Sequence, residues 1–141
     1  MSESFLDLLK NAFDLPDVDV RTYSPLALAF IGDSVFDTVI RSVAICRGNR
    51  SGQDLHHLTA EYVNAAAQAA MAEALLPCLA ADERAIFQRG RNAKSANTAK
   101  NASDRDYRQA TGFEALIGYL YLQGRQERIL ELVRMGIEAI L

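Results

Sequence analysis

Leu26-Ala27-Leu28-Ala29-Phe30-Ile31-Gly32-Asp33-Ser34-Val35-Phe36 is an apolar stretch broken by a single carboxylate. Ser24-Pro25 stands just before it and reads as a helix start. Serine suits the N-cap, and proline suits the first helical position, where a missing N–H does no harm. The helix is expected to run to about Cys46 or Arg47, apolar almost all round and therefore central and buried. A second stretch has the same character. Thr111-Gly112-Phe113-Glu114-Ala115-Leu116-Ile117-Gly118-Tyr119-Leu120-Tyr121-Leu122 contains Glu114, the only charged residue between Arg108 and Arg125.

A carboxylate in apolar surroundings is costly unless it has a partner. Neither stretch supplies a cation within one helical turn. A hard divalent cation shared by Asp33 and Glu114 is one candidate. An arginine from another helix (Arg41, Arg84 or Arg108 for Glu114) is the other, and the residues alone leave both open. Gly32 and Ser34 are small, so a second helix, a metal or a phosphate can come close to Asp33. Asp37 and Arg41 follow at i,i+4 spacing, which suits an ordinary helix ion pair. An outer position for Asp37 at the metal is the alternative.

Outward from these segments the chain reads as nearly all helix, with no alternating β-branched run bounded by turns. Ser2 is expected to cap a first helix through about Phe13. Gly48-Asn49 ends the long helix, Ser51 caps the next, and Asn64 caps or kinks the chain before the alanine-rich stretch Ala65 to Leu76. Asp82 is expected to cap a short helix to about Arg89, and Gly90 to open a polar segment as far as Asp106. A helix from Asp106 to Gln123 precedes Gly124, and an amphipathic helix takes Arg125 to the end with Ile129, Leu132, Val133 and Gly136 on one face.

At 141 residues, half of them hydrophobic, residues 1–141 suit a single all-α domain with a core. The net charge of −3 argues against indiscriminate nucleic-acid binding and permits a local basic patch. The apolar runs are too short to span a bilayer, and Met1-Ser2-Glu3-Ser4-Phe5 lacks the start of a signal peptide. Cys46 and Cys78 are isolated and read as buried small hydrophobes in a reducing compartment. No membrane partner and a cytoplasmic location are the expectations. His56-His57 are adjacent, so on a helix they point about 100° apart and cannot chelate one metal from the same face.

A basic patch is present. Arg89-Gly90-Arg91-Asn92-Ala93-Lys94-Ser95, followed by Lys100, holds four cations within twelve residues and no acid. Its cations and hydrogen-bond donors suit phosphate and ribose contacts, which position a nucleic acid without reading its sequence. A solvated basic loop has the same composition.

Ala29-Phe30-Ile31-Gly32-Asp33-Ser34-Val35-Phe36 resembles the first signature of the ribonuclease III catalytic domain. Phe113-Glu114-Ala115-Leu116-Ile117-Gly118 resembles the second, and Leu55, Leu58, Val63 and Asn64 match the stretch between them. The match runs from about Leu26 to Leu122 in the family's order. Ordinary members carry further acids where this chain has Ala29 and Thr111, and a double-stranded-RNA-binding domain for which Leu141 leaves no room. These departures, with the Arg-Gly-Arg-Asn-Ala-Lys-Ser segment, resemble the compact bacterial branch called Mini-ribonuclease III.

The resemblance implies an all-helical homodimer. It implies an endoribonuclease that cuts double-stranded RNA with Mg²⁺, leaves 5′-phosphate and 3′-hydroxyl ends, and serves maturation of large-subunit (23S) ribosomal RNA. Asp33 and Glu114 would be the catalytic, metal-holding residues. Asp37 and Thr111 would stand in an outer position. Arg89, Arg91, Asn92, Lys94, Ser95 and Lys100 would hold RNA, and the face with Phe30, Val35 and Phe36 would meet the second subunit. A ribosomal protein that presents the RNA is a further partner left open. Two other classes stay in view: a catalytically inactive RNA-binding or assembly module, and a purely structural helical dimerisation domain.

Overall fold

The structure is a computed structural model and describes residues 3–93 and 104–141. All regular structure among these residues is helical, as expected from the sequence. The helices are α1 (Phe5–Ala12), α2 (Pro25–Arg47), α3 (Gly52–Ala60), α4 (Ala65–Leu75), α5 (Ala81–Asn92), α6 (Asp104–Leu122) and α7 (Gln126–Ile140). Single 3₁₀ turns lie at Val20–Thr22 and Leu76–Cys78.

Three expected caps form. Ser24 Oγ accepts from the Ala27 N–H at 3.2 Å, Ser51 Oγ from Asp54 at 3.1 Å, and Asn64 Oδ1 from Ala67 at 2.8 Å. Gly124, at φ 75°, takes the left-handed turn between α6 and α7. Two starts differ from expectation. The cap of α1 is Ser4, whose hydroxyl accepts from the Asp7 N–H at 3.1 Å while Asp7 accepts from the Ser4 N–H at 3.3 Å. This reciprocal box decides the position. Helix α5 starts after Ala80 rather than at Asp82, because Glu83 Oε1 reaches back to the Ala80 N–H at 2.8 Å.

The central helix is α6, not α2. Residues 109–120 of α6 are buried except for Glu114, which is half-buried, and α2, α4, α5 and α7 all pack on this helix. Helix α2 buries only one face, with Leu28, Ala29, Gly32, Phe36 and Ile40 turned inward. Its other side leaves Leu26, Phe30, Val43 and Ile45 exposed. Apolar composition all round therefore reflects a helix with two apolar faces, only one of them covered within this chain. Phe36 belongs to the core and not to an outer contact face: its ring meets that of Phe113 edge-on at 5.2 Å. Cys46 and Cys78 are both exposed, contrary to the expectation that they fill the core. Among the described residues no helix is long and apolar enough to cross a membrane.

Candidate active site

The site is built where α2 crosses α6. Gly32 and Gly118 bring the two backbones into direct contact. A Cβ on Gly32 would lie 1.7 Å from the Glu114 carbonyl oxygen, and one on Gly118 would lie 1.9 Å from that of Leu28. Any side chain at either position would force the helices apart. Asp33 follows Gly32 directly, and Glu114 lies one turn before Gly118 on the same face of α6. Their carboxyl groups come within hydrogen-bonding reach.

The two carboxylates differ in environment. Asp33 is exposed in this chain, although its sequence neighbours are apolar, because it lies with Phe30 and Ser34 on the outward side of α2 while Leu28, Ala29, Gly32 and Phe36 turn inward. Glu114 is half-buried, and its pKa is pushed up to about 9. Burial is the main cause; the hydrogen bond to Asp33 and the negative charge of Asp33 add to it. The arginines considered as partners for Glu114 are engaged elsewhere. Arg41 Nε pairs with Asp37 at 2.9 Å, Arg108 with Asp104 at 3.0 Å, and Arg84 donates to the Leu76 carbonyl at 3.0 Å. The i,i+4 ion pair expected for Asp37 is thus present.

The donor chemistry fits a hard divalent cation. Two carboxylates converge, one holding a proton that a cation would displace, and no cationic side chain among the described residues pairs with either. No group of three or more His, Cys, Asp and Glu gathers among the described residues. Two protein carboxylates suit Mg²⁺, which keeps several waters and completes its shell with substrate phosphate. The flanking positions are closed: Ala29 is buried, and buried Thr111 donates its hydroxyl to the Tyr107 carbonyl at 2.9 Å.

A second pair of glycines sets the basic end of α5 beside α6. A Cβ on Gly90 would lie 2.8 Å from Gly112 Cα and 3.2 Å from the Thr111 carbonyl oxygen. Gly90 therefore sits inside α5, which continues to Asn92, instead of opening the polar segment. The close approach places Arg89, Arg91 and Asn92 at the level of Thr111 to Ala115, the level of Glu114. Arg89 Nη2 donates to the Tyr23 carbonyl at 3.4 Å, and Arg91 Nε to Asn92 Oδ1 at 3.4 Å. Lys94, Ser95 and Lys100 lie outside the described residues.

Glu83 does not stand out in the sequence. It is fully buried and accepts from Arg128 Nε and Nη2, each at 2.8 Å, tying α5 to α7. Its signal is weak, since Glu83 stands among other polar residues in Asp82-Glu83-Arg84.

The pattern of the Ribonuclease III domain matches residues 26–125. A Mini-ribonuclease 3 from Thermoanaerobacter sp. is 41% identical over 140 residues, covering 99% of each chain. That of Brevibacillus brevis is 45% identical over 122 residues, covering 86% of this chain and 91% of its own. A crystal structure of a Fusobacterium nucleatum protein superposes with a TM-score of 0.77 at 28% identity, over 87% of this chain and 98% of that one. With both signatures seated at one helix crossing, this chain belongs to the ribonuclease III family, in its Mini-ribonuclease 3 branch, and is an endoribonuclease.

Proposed function

We propose that this endoribonuclease cuts double-stranded RNA with Mg²⁺ held by Asp33 and Glu114, leaving 5′-phosphate and 3′-hydroxyl ends. The observation that carries the reading is the convergence of these two carboxyls at a glycine-locked crossing, where no cationic side chain among the described residues pairs with either. When bound, the cation supplies a water of lowered pKa and positive charge against the phosphate. To hold the cation Glu114 would give up its proton, and exposed Asp33 would hold the solvent side of the site. The buried Thr111 hydroxyl, one turn before Glu114, helps fix that face. Arg89, Arg91 and Asn92 at the end of α5, with Lys94, Ser95 and Lys100 beyond it, bind the RNA backbone through phosphate and ribose.

Cutting both strands requires two sites, and a two-fold dimer matches the local symmetry of a duplex. The side chain that supports this is Phe30, 82% exposed and one turn before Asp33 on α2. Exposed Leu26 lies one turn before it, and contiguous apolar surface of this kind marks an interaction face. The substrate in this reading is the precursor of large-subunit ribosomal RNA.

The deciding experiment is cleavage of a labelled duplex with and without Mg²⁺, comparing the protein with its Asp33→Asn and Glu114→Gln variants. Mg²⁺-dependent double-strand scission, lost in both folded variants, is the expected result. Duplex binding without any scission by the unaltered protein would instead make it an RNA-binding module. Precursor RNA, free or bound to ribosomal proteins, then tests the substrate and whether a ribosomal protein presents it.

A further inference from the structure

Among the described residues every lysine and arginine makes an ion pair or a hydrogen bond, with two exceptions. The exceptions are Arg47, the last residue of α2, and Arg50, in the connection to α3. Both line the same pocket, of about 210 Å³, between α2, α3 and α7. Arg50 folds back toward the end of α2, its Nε 3.6 Å from the place that a Cβ on Gly48 would take. Two uncompensated positive charges at one pocket attract an anion.

The rest of the pocket is apolar, with one acid. Ile40, buried on the inward face of α2, lines it, and Arg47 follows two turns later on that face. Leu58 of α3, Tyr62 just beyond α3 and Ile137 of α7 add to the wall, and neither Phe30 nor Ile45 of the outward face belongs to it. Arg47 stands about 21 Å from Asp33 along the helix axis, so the pocket is separate from the carboxylate site. Glu61 is the acid. Its carboxylate and the Tyr62 hydroxyl have no hydrogen-bond partner among the described residues. The volume is the room of about seven liquid waters, which fits one base-sized ring. Tyr62 offers such a ring an aromatic side chain to pack on, and the two arginines suit a phosphate. Glu61 disfavours a simple organic acid, which would set its charge beside a carboxylate and offer it no donor. It favours an anion that also carries hydroxyls, as a ribose does.

We propose that this pocket binds a free nucleoside 5′-monophosphate. The base lies against Tyr62, Leu58 and Ile137, the phosphate is held by Arg47 and Arg50, and the ribose hydroxyls donate to Glu61. The site does not depend on the double-stranded-RNA reading, because none of these residues belongs to the proposed catalytic or RNA-binding set.

The experiment is titration calorimetry of the full chain with AMP, 2′-deoxy-AMP, adenosine, inorganic phosphate and octanoate, without divalent cations. The proteins are the unaltered chain, Arg47→Gln, Arg50→Gln and Glu61→Ala, with melting curves to show that each is folded. AMP is expected to bind once per chain, and adenosine and inorganic phosphate at least about tenfold more weakly. Each arginine variant should weaken AMP about tenfold and leave adenosine as it was. Glu61→Ala should narrow the gap between AMP and 2′-deoxy-AMP. Absence of AMP binding to the unaltered chain would overturn the proposal. AMP affinity unchanged in both arginine variants would overturn it too, by placing the nucleotide elsewhere on the protein. Octanoate bound as tightly as AMP would make the pocket a site for aliphatic anions instead. An arginine variant that weakens duplex-RNA binding, read by fluorescence anisotropy, as much as AMP binding would assign these arginines to the RNA surface and likewise end the proposal.

Discussion

Gly32 of α2 and Gly118 of α6 let two helix backbones touch, and that contact sets the distance between the carboxyl groups of Asp33 and Glu114. A Cβ added at Gly32 would lie 2.7 Å from the Gly118 nitrogen, and one at Gly118 would lie 3.1 Å from the Gly32 nitrogen, besides their collisions with carbonyl oxygens. The atoms in the way are backbone and have no rotamer to escape into. Gly32→Ala or Gly118→Ala should therefore cost at least the upper part of the overpacking range, about 3 kcal/mol. RNA cleavage should fall further than stability does, because the displaced helices carry Asp33 and Glu114. Urea unfolding and single-turnover cleavage on the same samples check this. Full activity in a destabilised variant would show that the crossing does not set the site.

The Glu114 proton makes a prediction about pH. With its pKa pushed up to about 9, the folded metal-free protein holds a proton that the unfolded chain releases near 4.5. The folded state then binds more protons than the unfolded one between those values, so stability falls as pH rises through that window. Glu114→Gln should remove this fall. In the proposed function Mg²⁺ would reverse the balance, because its ligand must be ionised. Binding should release a proton from Glu114 at neutral pH, and affinity should rise with pH up to about 9. Melting curves at several pH values, and titration calorimetry in buffers of different ionisation enthalpy, measure both effects. Binding with no proton release would count against Glu114 as the ligand.

Much of this site was legible in the sequence because its parts are local signals. Asp33 and Glu114 each stand alone in an apolar stretch, and Ser24-Pro25, Ser51, Asn64 and Gly124 mark helix ends through their own backbone chemistry. What was not legible depends on which helix face meets which. Helices α2 and α6 are both apolar on most sides, so composition could not say that α6 is the central one. The burial of Glu83 depends on Arg128, forty-five residues away. The place of Gly90 inside α5 depends on Gly112 having no side chain.

The Glu83–Arg128 pair should behave as a buried clamp between α5 and α7. Glu83 is fully buried, and its pKa is held below the usual carboxylate value, first by the hydrogen bonds from Arg128. Arg125, at 3.7 Å, and the Ala80 N–H complete its surroundings. Removing one partner leaves the other charge buried, so Glu83→Gln or Arg128→Met should cost about 3 kcal/mol, and the double variant less than the sum. The sign with pH is opposite to that of Glu114. The stability from Glu83 is present above about pH 4.5 and is lost as pH falls through its lower folded value. Chemical unfolding of the double-mutant cycle at pH 7 and pH 3 tests this; additive losses would mean the two residues do not act as a pair.

Phe30 and Phe36 lie six residues apart on α2, about 120° apart around the helix, and should fail in different ways. Phe36 is fully buried against Phe113, so Phe36→Ala should cost about 3–5 kcal/mol in unfolding while the folded fraction keeps its assembly state. Phe30 is 82% exposed, so Phe30→Asp should leave the fold of the single chain nearly as stable as before. In the proposed dimer, that same change puts a charge into the contact between subunits, where an unpaired buried charge is strongly unfavourable. Sedimentation should therefore show Phe30→Asp at about half the mass of the unaltered protein. Double-strand cleavage should drop with that mass, and nicking of one strand should persist longer than cutting of both. An unchanged mass for Phe30→Asp would remove Phe30 from the subunit contact and leave its exposure beside Asp33 to be explained by RNA.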